Sequence, residues 1–215
     1  MAAPRWRRRK DERPAEILDA ALESFARNGF AATRLDDVAA RAGVSKGTLY
    51  LYFPSKAELF KGVVRQELLP NLERGEAMVA AHDGDAADLV RKLVVLLGTA
   101  VAGTRLGAIP KLVIAESGNF PELGRFYLKE VIERGLRLIG AILQRGVERG
   151  EFRPLDVGHA ARAVVAPFLV LAVWRSVLEP VGAQPVDVER YCRDQADILL
   201  RGLLTDRDDG DDLAR

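Results

Sequence analysis

The sequence predicts an all-α protein: an N-terminal set of three short helices that shares a longer helix with a larger helical domain. Three observations carry this reading. Apolar residues recur at three- and four-residue spacing along most of the 215 residues. Glycines and side chains suited to helix caps divide the stretch up to about residue 60 into short segments. No convincing strand and no internal repeat interrupts the helical pattern.

Each element follows from its own residues. Over residues 11–28, Ile17, Leu18, Ala21, Leu22 and Phe25 fall at helical spacing, and Gly29 can close the helix in a left-handed conformation. Thr33 is a suitable N-cap for a short helix carrying Leu35, Val38 and Ala39, which Gly43 ends. Ser45 can cap a third helix. Ser55 and Glu58 form an S-x-x-E capping box that opens a longer helix with Leu59, Phe60, Val63, Val64 and Leu68. Pro70 is expected to kink that helix or start a new one. The stretch "AHDGD" reads as a loop. Residues 88–103 form an apolar helix, residues 109–117 another with Pro110 in its first turn, and residues 121–149 a long amphipathic one. Residues 157–178 and 186–203 complete the set.

The net charge is +1 but unevenly spread. "RWRRRKDER" is strongly basic and "DRDDGDD" acidic, an asymmetry that points to a polyanionic partner at the basic end. The division expected is a basic disordered arm over residues 1–12, a small helical unit over 13–60, a larger helical domain over 61–204 and an acidic disordered tail over 205–215. Cys192 is the sole cysteine, so no internal disulfide is expected and a reducing compartment suits the chain. The N-terminal charges have no apolar core behind them, as a signal peptide would. No apolar run is expected to reach membrane-spanning length. A cytoplasmic protein with no membrane partner is therefore expected.

The stretch "AGVSKGTLYLYFPSK" alternates like a strand at its centre, yet its neighbours are capped helices and offer no partner strand. As a helix, Leu49 and Phe53 stand one turn apart and can both reach a core. Tyr50 then occupies another face, with Lys46 one turn before it. A support helix, a glycine turn and a short second helix make a helix-turn-helix. "ILDAALESFARNGFAATRLDDVAARAGVSKGTLYLYFPSKAELF" resembles the DNA-binding domain of the TetR family of bacterial transcriptional regulators. "GVSKGTLYLYFPSK" is similar to that family's second-helix signature nearly residue for residue. The remainder resembles the family in its helical layout and in pieces such as "FPEL" and "ERGEF".

The resemblance implies a helix-turn-helix DNA-binding domain followed by a helical ligand-binding and dimerisation domain. Its physics agrees with the residues. A helix entering the major groove needs donors near its N-terminus. Ser45 and the amides of Lys46 and Gly47 supply them at the dipole-positive end. Thr48 offers a hydroxyl and a methyl to a base edge. Tyr50 and Tyr52 offer phenolic hydroxyls to phosphate, and Lys56 adds a backbone contact. Arg34, before the support helix, stands where the family commonly places a phosphate or base contact. Leu51 departs from the aromatic residue that relatives often carry. The basic arm with Trp6 suits a minor groove.

The run "AVVAPFLVLAVW" is apolar all round, so it needs a second surface to cover it. Residues 157–178 and 186–203 are expected to form a four-helix interface between two copies, on a near-palindromic double-stranded operator. The family implies a cavity for a small, largely apolar effector, which Leu93, Leu97, Leu112, Phe126, Phe168 and Trp174 could line, with Arg105, Glu116 and Asn119 as polar handles. No cofactor or metal is expected. His82 lies in a loop, His159 opens an apolar helix, and Cys192 has no histidine near it in sequence. The expected function is a transcriptional regulator, a repressor released by its effector. A helical enzyme or a DNA-binding scaffold without a sensor are the other classes.

Overall fold

The structure, a computed structural model, describes the backbone of residues 5–102 and 104–205, and the side chains of 13–101 and 107–205. The side chain of Arg105, and residues 206–215 of the acidic tail, lie outside the described residues. The elements are α1 (Arg5–Ala32), α2 (Leu35–Arg41), α3 (Lys46–Tyr52), α4 (Lys56–Ala80), α5 (Ala86–Ala102) and α6 (Thr104–Glu116). Then come α7 (Pro121–Tyr127), a π turn (Leu128–Ile132), α8 (Glu133–Glu148), α9 (Val157–Val173), a second π turn (Trp174–Leu178) and α10 (Val188–Leu203). Among the described residues the only β-type pairing is an isolated bridge between Phe152 and Leu204.

Several boundaries differ from the sequence reading. Helix α1 begins at Arg5, so the backbone of residues 5–12 continues a helix where a disordered arm was expected. Arginine, lysine and glutamate are good helix formers, and no glycine breaks the run. The helix is interrupted at Gly29, whose φ of 78° is one that glycine adopts without a Cβ clash. Thr33 does not cap α2. Its hydroxyl donates backwards to the carbonyls of Gly29 (2.6 Å) and Ser24 (3.2 Å), and Arg34 holds the cap position without a side-chain bond. Half of the expected capping box forms: the Glu58 amide donates to Ser55 Oγ at 3.1 Å, but the Glu58 carboxylate takes Lys61 instead, at 2.7 Å. Pro70 lies inside α4, which continues to Ala80, and Pro110 lies well inside α6.

The chain forms two compact units, Met1–Asn71 with Gly103–Ile132, and Leu72–Ala102 with Glu133–Arg215. Helices α6 and α7 thus cluster with the N-terminal helices, whereas the sequence division assigns them to the larger domain.

The first unit is built around aromatic rings. Phe25 stacks on Phe30 at 5.6 Å, Phe60 meets both edge-on at 6.0 Å, and Phe120 meets Phe30 edge-on at 4.8 Å. Ile17 and Leu22 of α1, Val38 of α2, Leu49 of α3, Leu59 and Val64 of α4, and Ile109 of α6 close around them.

The second unit packs Leu89, Val90 and Leu93 of α5 with Ile139 and Ile142 of α8, Val164 and Phe168 of α9, and Leu200 and Leu203 of α10. Two glycines set its closest approaches. A Cβ at Gly146 would fall on the ring of Phe152, and one at Gly98 would fall on the sulfur of Cys192, which also rests 3.6 Å from the Val94 carbonyl. Arg134 holds Glu76 through two bonds of 2.6 Å. The stretch Val157–Val181 is long and apolar enough to cross a membrane by length and composition, contrary to the sequence expectation, because the apolar pattern continues past Trp174. Its Ala161, Val164, Phe168, Leu171 and Ala172 are buried in the unit, while Leu169, Val170 and Val181 are exposed.

The Gly98 contact generates a stability prediction. Gly98→Ala should cost about 1–3 kcal/mol through overpacking against Cys192. Adding Cys192→Ala should recover most of that loss, giving a coupling well above additivity in urea unfolding.

Candidate nucleic-acid interface

The helix-turn-helix is assembled from local signals. Asp36 and Asp37 occupy the first turn of α2, where carboxylates oppose the helix dipole. Gly43, at φ 66°, makes the turn, and the Val44 amide closes back on the Ala39 carbonyl at 3.0 Å. Ser45 caps α3, accepting from the Thr48 amide at 3.1 Å. A helix of seven residues does not stand alone in water. Leu49, fully buried, ties it to the core, and Tyr52 and Phe53 pack beside that core.

This packing fixes the outward face. Ser45, Lys46, Gly47, Tyr50 and Leu51 are exposed, with Tyr50 at 42% and Leu51 at 77%. Thr48 is half-buried, and its hydroxyl lies 2.8 Å from that of Ser45. Lys46 crosses to Asp36 of α2, with contacts of 2.8 and 3.1 Å. That carboxylate, by hydrogen bond and by charge, raises the ammonium's pKa. Arg34 is exposed at the start of α2, and its charge is felt at Lys46. A Cβ on Gly47 would meet only Ser45 Oγ, at 3.9 Å, so the face is open there.

Lys56 is placed differently from the other predicted contacts. Its ammonium turns into the protein, donating to the carbonyls of Ala31 (2.8 Å) and Thr33 (3.0 Å) and lying 4.8 Å from the centre of the Phe30 ring. Burial lowers its pKa, and the charge of Glu116 opposes that shift. Leu51, which the sequence reading set apart as a departure from the family's aromatic and left out of the proposed contacts, is among the most exposed residues of α3. One turn after Gly47 and next to Tyr50, it presents an apolar side chain on the outward face, and helical spacing from Gly47 was the signal available.

The residues proposed for an effector do not gather in one place. Leu93 and Phe168 are buried in the second unit's core, with Leu97 packed against it, and the Trp174 indole donates to the Gln184 carbonyl at 3.0 Å. Leu112 and Phe126 belong to the first unit. Leu112 borders a void of about 10 Å³, and Phe126 lies beneath Lys61 and Arg65. None of the six lines the open groove of about 790 Å³ between α5 and α10. Among the described residues, no group of three or more His, Cys, Asp or Glu is arranged to hold a metal.

A short capped helix with an outward polar face, set by a glycine turn on a support helix and followed by a larger helical body, defines a helix-turn-helix regulator. Comparison with known families makes this specific. Residues 17–63 match the model for bacterial regulatory proteins of the tetR family, and residues 80–193 match the tetracyclin repressor-like C-terminal domain. The chain belongs to the TetR family and is a DNA-binding transcriptional regulator. It is 32% identical over 149 residues to the HTH-type transcriptional regulator YfiR of Bacillus subtilis, covering 68% of this chain and 71% of that one. It is 29% identical over 161 residues to the fatty acid metabolism regulator protein of B. subtilis, covering 72% and 80%. Among solved structures, the transcriptional regulator FadR of B. subtilis in complex with stearoyl-CoA shares the fold, with a TM-score of 0.75, 23% identity, and 87% and 98% of the two chains covered.

The outward face of α3 generates a binding prediction. Tyr50→Ala and Lys46→Ala should each weaken operator binding several-fold without lowering thermal stability, since both side chains are exposed. Lys46→Ala should also reduce the salt slope by about one unit. Gel-shift titrations across a salt series check both. Unchanged affinity in both variants would remove these residues from the interface.

Proposed function

We propose that the protein is a dimeric repressor acting in the bacterial cytoplasm, released from a near-palindromic operator by a small, largely apolar effector. The observation that carries the DNA half is the geometry of α3, whose inward Leu49 forces Ser45, Lys46, Gly47 and Tyr50 outward together. Arg34 and the half-buried Thr48 and Tyr52 flank this face and complete the proposed contacts.

The dimer is supported by unspent apolar surface on α9 and α10. Val170 is 63% exposed and Ile198 61%, while Phe168 and Leu200 on the same helices are core. In the most apolar 18-residue window of Val157–Val181, only 28% is buried within one chain. A second copy would cover this face and set two recognition helices on successive major grooves, about 34 Å apart.

The effector class is supported by the relative that is named as a fatty acid metabolism regulator. An acyl chain is the apolar ligand we infer, received within the second unit near Leu93, Leu97, Phe168 and Trp174. Leu93 and Phe168 stand in closed packing, so such a ligand must open it. A ligand that binds only the opened form shifts the equilibrium by its differential affinity, and a tenfold loss of operator affinity needs about 1.4 kcal/mol.

Selection of bound fragments from the source genome would supply the operator. Long-chain fatty acids and their coenzyme A thioesters, titrated into the operator complex, should then release it. Saturation of a thermal-shift response with operator affinity unchanged would make the second unit a scaffold and not a sensor. For assembly, Ile198→Glu and Val170→Glu should each give a folded monomer by sedimentation and lose operator binding. A persistent dimer in both variants contradicts the interface.

A further inference from the structure

Residues 29–33, from the break in α1 to the residue before Arg34, are held from two sides by opposite charges. The Glu116 carboxylate, at the end of α6, accepts from the amides of Phe30 (3.0 Å) and Ala31 (3.2 Å) through Oε1. The Lys56 ammonium, at the start of α4, donates to the carbonyls of Ala31 and Thr33 at 2.8 and 3.0 Å. Between them the Thr33 hydroxyl, itself buried, closes the segment onto Gly29 and Ser24. The Phe30 ring fixes the centre, 2% exposed among Phe25, Phe60 and Phe120. All these groups lie in the first compact unit.

Breaking α1 at Gly29 leaves amides and carbonyls with no helical partner, part-buried at Phe30 and Thr33 and exposed at Ala31. Glu116 takes the exposed donors and Lys56 the exposed acceptors. Each bond involves an ion and is stronger and shorter-ranged in geometry than a neutral pair. The next residue is Arg34, whose carbonyl begins α2 by accepting from the Asp37 and Val38 amides at 3.2 Å. A shift of the clamped segment therefore moves Arg34, α2 and, through the Gly43 turn, α3.

We propose that Glu116 and Lys56 are positioning residues for DNA recognition: a two-sided ionic clamp on residues 29–33 that sets the helix-turn-helix in register. Neither touches the operator. Lys56 commits two of its three donors inside the protein and acts through the turn, although its place in the sequence motif reads as a phosphate contact.

The test rests on the full-length chain and on the operator recovered by genomic selection. Binding of that fragment by the unaltered protein tests the regulator reading itself, and the variants test the clamp. Glu116→Ala and Lys56→Met should each lower operator affinity at least tenfold in protein that is folded by circular dichroism. Lys56→Arg, which keeps a forked cation, should restore most of it, and Glu116→Gln, which keeps only a neutral acceptor, should restore part of it and stay measurably below the unaltered protein. On a non-operator duplex, where register matters little, Lys56→Met should leave the salt slope unchanged. A direct phosphate contact would instead reduce that slope by about one unit and overturn the assignment of Lys56. If Glu116→Ala does not fold, Glu116→Gln decides, since its neutral acceptor should speed exchange of the Phe30 and Ala31 amides and weaken operator binding in step. Faster exchange with full operator affinity, or full affinity in folded Glu116→Ala, overturns the clamp.

Discussion

The constraint on which the DNA-binding unit depends is the break in α1 at Gly29. A helix continuing straight through would carry Phe30 along its own surface. The positive φ of Gly29 turns the chain, and Phe30 enters the core between Phe25 and Phe60. Burying such a ring contributes about 1.5–3 kcal/mol by removing its surface from water. The same turn strands backbone groups that need partners. Apolar burial therefore pulls the segment in, and Glu116, Lys56 and Thr33 make that burial tolerable by satisfying what it strands.

Helix α3 inherits its position from this arrangement because it has little stability of its own. Seven residues make barely two turns, too few to form alone. Ser45 at one end and Leu49 on the inner face hold it, and everything else is left to face outward. The exposed ion pair of Lys46 with Asp36 adds little stability, since both charges remain in water. Its consequence is to hold the ammonium close to α2, the helix that Arg34 begins.

The sequence made the local features legible and the long-range ones opaque. Ser45 as a cap, Gly43 as a turn, and Leu49 inside with Tyr50 outside all follow from neighbours within four residues, and the structure has them. The bounds of α5, α9 and α10 fall within about two residues of those the periodicity predicts, apart from the π turn that follows α9. What could not be read depends on distant partners. Glu116 meets Phe30 across 86 positions, and only the folded chain shows that its carboxylate serves the turn. Lys56 looks like a contact from its motif, but Phe30 and two carbonyls draw it inward. Thr33 was assigned forward to α2 because a threonine before a helix reads as a cap; Arg34 holds the cap position instead, and Thr33 bonds backward to Gly29 and Ser24. Gly98 and Gly146 carry no signal in their own helices, since each is small for the sake of a side chain elsewhere.

The backbone ladder is weakened in two helices at related places. Helix α4 begins in the first unit and ends in the second, and Pro70, which cannot donate to the ladder, stands within two residues of the passage after Asn71. The run from Pro121 to Glu148 makes its passage after Ile132, at the end of the π turn Leu128–Ile132, where an extra residue is accommodated in the helix. A helix transmits a displacement only as far as its ladder resists bending, and bends concentrate at prolines and π turns. Pro70 thus marks a weakened joint in α4, and the π turn marks another before α8. What remains stiff lies beyond the first joint: residues 56–64 of α4, anchored by buried Leu59, Phe60, Val63 and Val64 and ending on the Lys56 contact.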